Sequence, residues 1–309
     1  MTNTAPSRAV PGETAIRRRG LLGGLHFEAG ITVRMLVDDA SSAILPPVLF
    51  TAAVCSHYRL DAADTMRHLG VNLLLFTLYL YIFDASNQAR GAREDALNKP
   101  YRPIPAGLIT SKGMTRRLWC ALPLYTLLGW ATGTLPWVLL WQAVVLAHNL
   151  LSSPRYYVVF KPIAMTLGIV AQLAAAWSSV APLDRVGWSW VLVLAFAYNV
   201  PLPFEDVRDM AGDRQIGRRT LPLMTGHWPV RIWFAVNMAL LPLVLHILLF
   251  APTHPRQSTL FACDLVVAAL TWTAGATSLL VRTVRADRFS YLVYTFSYAA
   301  ALACGYVLL

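Results

Sequence analysis

Long, uninterrupted apolar blocks, separated by short polar stretches, constrain this chain more than any other feature. Crossing a bilayer as a helix takes about 20 apolar residues. Inside lipid the backbone must satisfy its own hydrogen bonds, which leaves helices or a closed barrel. The blocks are continuous rather than alternating, so the sequence predicts an all-α membrane protein. Nine spans are read near 30–56, 70–88, 115–133, 136–152, 162–180, 187–205, 229–250, 261–282 and 288–308. The first begins poorly, because Arg34, Asp38 and Asp39 fall in its opening turns.

Charge supplies an orientation. Only 14% of the 309 residues are charged, yet the net charge is +10. Most of the Lys and Arg residues lie before the first span or after even-numbered spans. The exceptions are Arg34, Arg59, Arg67, Arg185 and Arg256. Positive charge in short loops marks the cytoplasmic side. The N-terminus is therefore expected inside and, with nine spans, the C-terminus on the opposite side. This distribution points to a membrane and not to a nucleic-acid partner. No obligatory protein partner is implied. Residues 1–26 hold Arg17, Arg18 and Arg19 but no apolar stretch of signal-peptide type. They are expected to be a mobile cytoplasmic tail held near lipid headgroups, and 27–309 a single transmembrane domain. Cys55, Cys120, Cys263 and Cys304 stand singly, without metal or redox spacing. His148, inside the fourth span, could line a cavity, with packing the favoured role.

Charged clusters beside a membrane span are functional candidates, and two clusters follow even-numbered spans. The first contains Asp84, Asn87, Gly91, Glu94 and Asp95. If the helix runs on, these positions share one face, with Arg90 and Arg93 pointing away and Pro100 and Pro103 ending the helix. The second contains Asp206, Asp209 and Asp213 at i, i+3 and i+7. A stripe of like charges needs a positive partner. Oxygen donors on two facing helices suit Mg²⁺, which takes one or two carboxylates, keeps waters and bridges to phosphate. Lys99, Arg102, Lys161, Arg208, Arg214, Arg218 and Arg219 are candidates for the same anion. The plain alternative for each motif is a charged loop with salt bridges. Two such motifs at equivalent helix ends weigh against it and suggest two related halves.

At these residues the chain resembles the UbiA superfamily of intramembrane prenyltransferases. The family pattern Asn-x-x-x-Asp-x-x-x-Asp, followed by Arg-Pro and Gly, is met by Asn87, Gly91, Asp95, Arg102-Pro103 and Gly107. The second pattern, Asp-x-x-x-Asp with a following Gly and Thr-Leu, is met by Asp209, Asp213, Gly217 and Thr220-Leu221. Tyr157 and Lys161 match the family's Tyr and Lys at the start of helix 5. The resemblance implies helices around a central apolar cavity, with an isoprenoid diphosphate as substrate, its tail among lipid-like side chains. It also implies Mg²⁺ held by Asn87, Glu94, Asp95, Asp206, Asp209 and Asp213, and diphosphate contacts from Lys99, Arg102, Tyr157, Lys161, Arg208 and Arg219. The middle carboxylate of the first motif is Gly91 here, with Asp84 or Glu94 as substitutes. The run Asn-Gln-x-x-Gly-x-x-Glu-Asp resembles the terpene-cyclising branch.

The expected activity is thus Mg²⁺-dependent ionisation of a linear isoprenoid diphosphate, followed by cyclisation. Prenyl transfer to an aromatic or other acceptor is the first alternative, and a non-enzymatic transporter or lipid-binding protein the second. The catalytic set implied is Asp95, Asp209, Asp213 and Lys161. Tyr81 and Tyr198 are added from among Phe76, Tyr79, Tyr81, Phe83, Trp177, Trp188, Trp190, Phe196, Tyr198 and Phe204 as the rings placed to stabilise a cation. Asn149 and Asn199 are candidate polar groups of the cavity.

Overall fold

The computed structural model describes residues 21–151 and 153–309. The expected tail falls outside the described residues as far as residue 20, and residues 21–26 form the start of a helix. The elements in chain order are α1 (Leu21–Leu36), α2 (Ala40–Ala43), α3 (Leu45–His57), α4 (Ala62–Asn98), α5 (Ser111–Ala131), α6 (Leu135–Leu151), α7 (Tyr157–Ser178) and α8 (Arg185–Asn199). A 3₁₀ turn at Leu202–Phe204 leads into α9 (Glu205–Gln215). The chain then forms α10 (Leu221–Thr225), α11 (His227–Leu245), α12 (Gln257–Leu280) and α13 (Val284–Leu308).

Local chemistry starts these helices where the sequence changes from polar to apolar. Asp61, Thr110, Asp184 and Thr283 each accept a backbone N–H three residues on, capping α4, α5, α8 and α13. α4 continues without a break through the first acidic motif and ends at Asn98, before Pro100, as expected.

The protein is a multi-pass integral membrane protein. Among the described residues seven helical stretches are long and apolar enough to cross a membrane, fewer than the nine expected. The other two expected spans are helices at the expected places. α5 carries Lys112, Arg116 and Arg117 in its opening turns, and α6 is apolar but short. The first span differs more. Helix α1 stops at Leu36, the chain turns through Asp38 and Asp39, and the membrane-crossing stretch begins at Ala40. Two adjacent carboxylates cannot enter lipid unpaired. They turn instead to Arg102.

Packing places α3 against α4, α7 and α13, with α4 beside α5, α6 beside α7, α7 beside α8, and α11 beside α12. Away from the motifs, Phe50 meets Trp177 at 5.8 Å and Trp190 at 6.1 Å, and these fully buried rings fill the bundle's interior. Trp188 and Phe196, two of the candidate rings, are exposed on the outside of the bundle. At the motif end α9 lies directly on α4. A Cβ at Gly212 would stand 2.3 Å from the Asn98 side chain, so any larger residue there would have to displace that amide.

Candidate active site

Where α2, α4, α6, α7, α8, α9 and α13 converge, they line a cavity of about 210 Å³, against roughly 10–15 Å³ for one water on the same measure. One stripe of α4 lines it. Tyr79, Leu80, Phe83, Asn87, Gly91, Glu94 and Asp95 all face in, following the helical repeat. Glu205, Asp206, Asp209 and Asp213 of α9 face them, and Tyr157 and Lys161 enter from the first turns of α7. The cavity is therefore charged at its motif end and aromatic deeper in.

Protein cations hold each carboxylate group at the charged end. Arg102 is 1% exposed. Its guanidinium reaches Asp95 at 3.0 Å, Asp39 at 3.3 Å and Asp38 at 3.4 Å. Burial alone would pull this group down; Asp95 first, then Asp39, Asp84 and Asp38, outweigh it and push it up, so it stays charged. Lys161 bridges Asp206 at 2.6 Å and Glu205 at 2.9 Å. Arg218 joins the two motifs, with Glu94 at 2.6 Å and Asp213 at 2.8 Å, and lies over the Tyr157 ring at 4.3 Å. Burial again opposes the charge of Arg218, and Tyr157, Glu94 and Asp213 override it.

The donor set fits magnesium. Asn87, Glu94, Asp95, Asp206, Asp209 and Asp213 all line the same cavity, and Asp95 Oδ2 is buried with no hydrogen-bond partner. Among the described residues no three carboxylates converge tightly enough to chelate an ion by themselves. Mg²⁺ does not ask for that, since it binds through one or two carboxylates completed by waters and phosphate oxygens.

Of the expected site residues, Tyr198, Lys99, Arg102, Tyr157 and Lys161 also line the cavity. Three do not. Tyr81 lies about 200° around α4 from Tyr79, and its hydroxyl accepts from Arg117 at 3.5 Å. Arg208 turns to Glu205 at 3.0 Å and Asp209 at 3.6 Å and stacks on Tyr291 at 4.5 Å. Arg219 is exposed, and its backbone N–H bonds to Pro154. Asp84, one of the substitutes considered for the missing carboxylate, is fully buried outside the lining, whereas Glu94 lines the cavity one turn from Gly91.

Among the other lining residues, Asp39, Trp141 and the tyrosines of α13 are not singled out by the sequence, whereas Tyr79, Phe83 and His148 are candidates. Asp39 arrives from 63 residues before Arg102, a pairing no local pattern reveals. Tyr291, Tyr294 and Tyr298 form one stripe on α13 at i, i+3 and i+7, a spacing legible in the sequence. With Tyr198 they make one aromatic wall, Tyr198 lying 4.9 Å from Tyr298. Tyr79 and Trp141, stacked at 4.3 Å, make a second, with Phe83. His148 lines the cavity too, its Nδ1 without a partner.

Comparison with known proteins agrees with this arrangement. Over 94% of this chain and 97% of its own length, somaliensene A/B synthase of Streptomyces somaliensis is 33% identical. Diterpene cyclase eriG of Hericium erinaceus is 32% identical over 86% of this chain and 84% of its length. A solved structure, a UbiA homolog from Archaeoglobus fulgidus bound to GPP and Mg²⁺, has the same fold. It superposes with a TM-score of 0.62 at 14% identity, covering 89% of this chain and 99% of that one. The UbiA prenyltransferase family pattern matches residues 44–307, and with the paired acidic motifs facing one intramembrane cavity, this chain belongs to that family.

Proposed function

We propose that this enzyme is a Mg²⁺-dependent terpene cyclase. It ionises a linear isoprenoid diphosphate within the membrane, releases diphosphate, and lets the allylic cation close on its own chain. The observation that carries the reading is the full-length likeness to somaliensene A/B synthase. Gly91 in the first motif and the two aromatic walls of the cavity support it.

Asn87, Glu94, Asp95, Asp206, Asp209 and Asp213 would hold Mg²⁺. When bound, the ion neutralises diphosphate charge and makes it a better leaving group. The protein's own cations do the rest. Lys161, Arg102 and Arg218 are paired with carboxylates. With metal on those carboxylates, the three cations would be available to the diphosphate oxygens, with Lys99 and Tyr157 beside them. Asp38 and Asp39 hold Arg102 in place beside Asp95. Charge developing on the departing diphosphate is met by groups already in place. Tyr198, Tyr79 and Trp141 offer ring faces to the cation, and the packed interior excludes the water that would quench it. The positive-charge distribution orients the motifs and the N-terminus to the cytoplasm.

Diphosphate release with no acceptor tests this reading. Wild-type protein in membranes should release diphosphate from one isoprenoid chain length, and Asp209→Ala and Asp213→Ala should not. Retained turnover in either variant would remove the metal assignment. Release that requires an added aromatic acceptor would make the enzyme a prenyltransferase.

A further inference from the structure

The inner, aromatic part of the cavity carries one side-chain amide among its described lining residues. Gln172 lies eleven residues after Lys161 on α7, three turns or about 16 Å deeper along the axis. It is 3% exposed and is held at both ends. Its Nε2 donates to the Ala43 carbonyl at 2.9 Å, and its Oε1 accepts the Tyr298 hydroxyl at 3.2 Å. A carbonyl only accepts and an NH₂ only donates, so the Ala43 carbonyl fixes which way the amide points, and the Tyr298 hydroxyl, which can do either, donates to the oxygen. The oxygen keeps a second lone pair. Gln172, Ala43 and Tyr298 all line the cavity.

Resting on the cyclase reading, we propose that Gln172 is a specificity-determining residue. Its fixed carbonyl dipole holds positive charge at one place in the cavity and thereby selects the ring closure. Ionisation leaves a cation at the carbon that bore the diphosphate. When a distal double bond attacks, its two π electrons form the new C–C bond, and the charge moves to the other alkene carbon. No atom is added, so the outcome depends on where that charge is best stabilised. Aromatic faces spread their attraction along both walls. An oriented amide oxygen acts at one point, and in a low-dielectric interior its effect is stronger than in water. The two bonds also tie α2, α7 and α13 together, so a tether without effect on the reaction is the competing role.

Full-length Gln172→Met and Tyr298→Phe in membranes separate the two roles. Gln172→Met keeps the length and removes the amide. Tyr298→Phe removes only the hydroxyl that fixes Oε1. Products are read by gas chromatography–mass spectrometry, alongside diphosphate-release kinetics and melting temperature. In Gln172→Met the main wild-type product should lose its majority to isomers or less cyclised hydrocarbons. Its kcat should fall about tenfold, while KM stays within about twofold. Tyr298→Phe should shift the ratio the same way to a smaller extent, which keeps the test open if Gln172→Met fails to fold. An unchanged product ratio in the folded variants, with only a lower melting temperature, overturns the inference and leaves the cyclase reading standing. No acceptor-free product from the wild type removes both.

Discussion

Replacing Arg218 with Met should expose how strongly the two acidic motifs are bound to each other. Arg218 Nη2 meets Glu94 on α4, and Nη1 meets Asp213 on α9. The Asp213 side chain is 2% exposed and that of Arg218 17%. Methionine retains the apolar stem and removes both charge-assisted bonds. It leaves Asp213 buried without its cation and Glu94 facing it with like charge. Breaking a buried pair from one side costs roughly 3–5 kcal/mol. The partial exposure of Arg218 and Glu94 places the expected loss at the lower end, about 3 kcal/mol. Asp213→Asn removes the stranded charge, so the double variant should be less destabilised than the sum of the singles by about 1–2 kcal/mol. The assay is unfolding of the purified chain in mixed micelles, followed by helical circular dichroism without metal. A loss under about 0.5 kcal/mol for Arg218→Met, or additivity of the two changes within about 0.5 kcal/mol, would refute the reasoning that this ion pair joins the motif helices.

Other substitutions test separate parts of the account. A Cβ at Gly168 would stand 2.6 Å from the Trp141 ring and 2.9 Å from the Tyr79 hydroxyl. Gly168→Ala should therefore cost about 1–3 kcal/mol by overpacking and alter the product ratio, read by melting and product analysis. Gly91→Asp should fold with a change of no more than about 1 kcal/mol, because a Cβ there meets nothing nearer than Glu94 at 3.9 Å. Aggregation of that variant would contradict the open space. Arg231 makes a bidentate pair with Asp287 at 2.6 and 2.7 Å, outside the cavity lining. Arg231→Met should cost roughly 3–5 kcal/mol, and a neutral result in the same unfolding assay would count against that pair as a link between α11 and α13. Chelation of divalent metal should stop diphosphate release and Mg²⁺ should restore it, and release that persists through exhaustive chelation would contradict the metal requirement.

Much of this architecture could be read from residue order, because its signals are local. Apolar length predicts spans wherever no charge interrupts them. It misjudges the first one because Asp38 and Asp39 find their partner in Arg102, more than 60 residues away. The helical repeat places Asp84, Asn87, Gly91, Glu94 and Asp95 on one stripe, and all of these but the buried Asp84 line the cavity. The same repeat extended backward leads to Phe83 and Tyr79 and passes over Tyr81. Choosing Tyr81 by its distance from the motif, without its angle, put it on the wrong face. Arg208 and Arg219 show a related difficulty. Several arginines surround the second motif, and only tertiary packing decides that Arg218 enters the cavity while Arg208 stacks on Tyr291. Gln172 was not legible, since a single amide within an apolar span carries no pattern until Ala43 and Tyr298 are seen around it.

Product analysis without an acceptor tests the central claim most directly. Membranes containing the full chain receive Mg²⁺ and, separately, C10, C15, C20 and C25 allylic diphosphates, and the extracts are resolved by gas chromatography–mass spectrometry. The account predicts a cyclic terpene from one chain length, absent from the Asp213→Ala control. Intact diphosphates at every chain length, in protein shown to be folded, would contradict it.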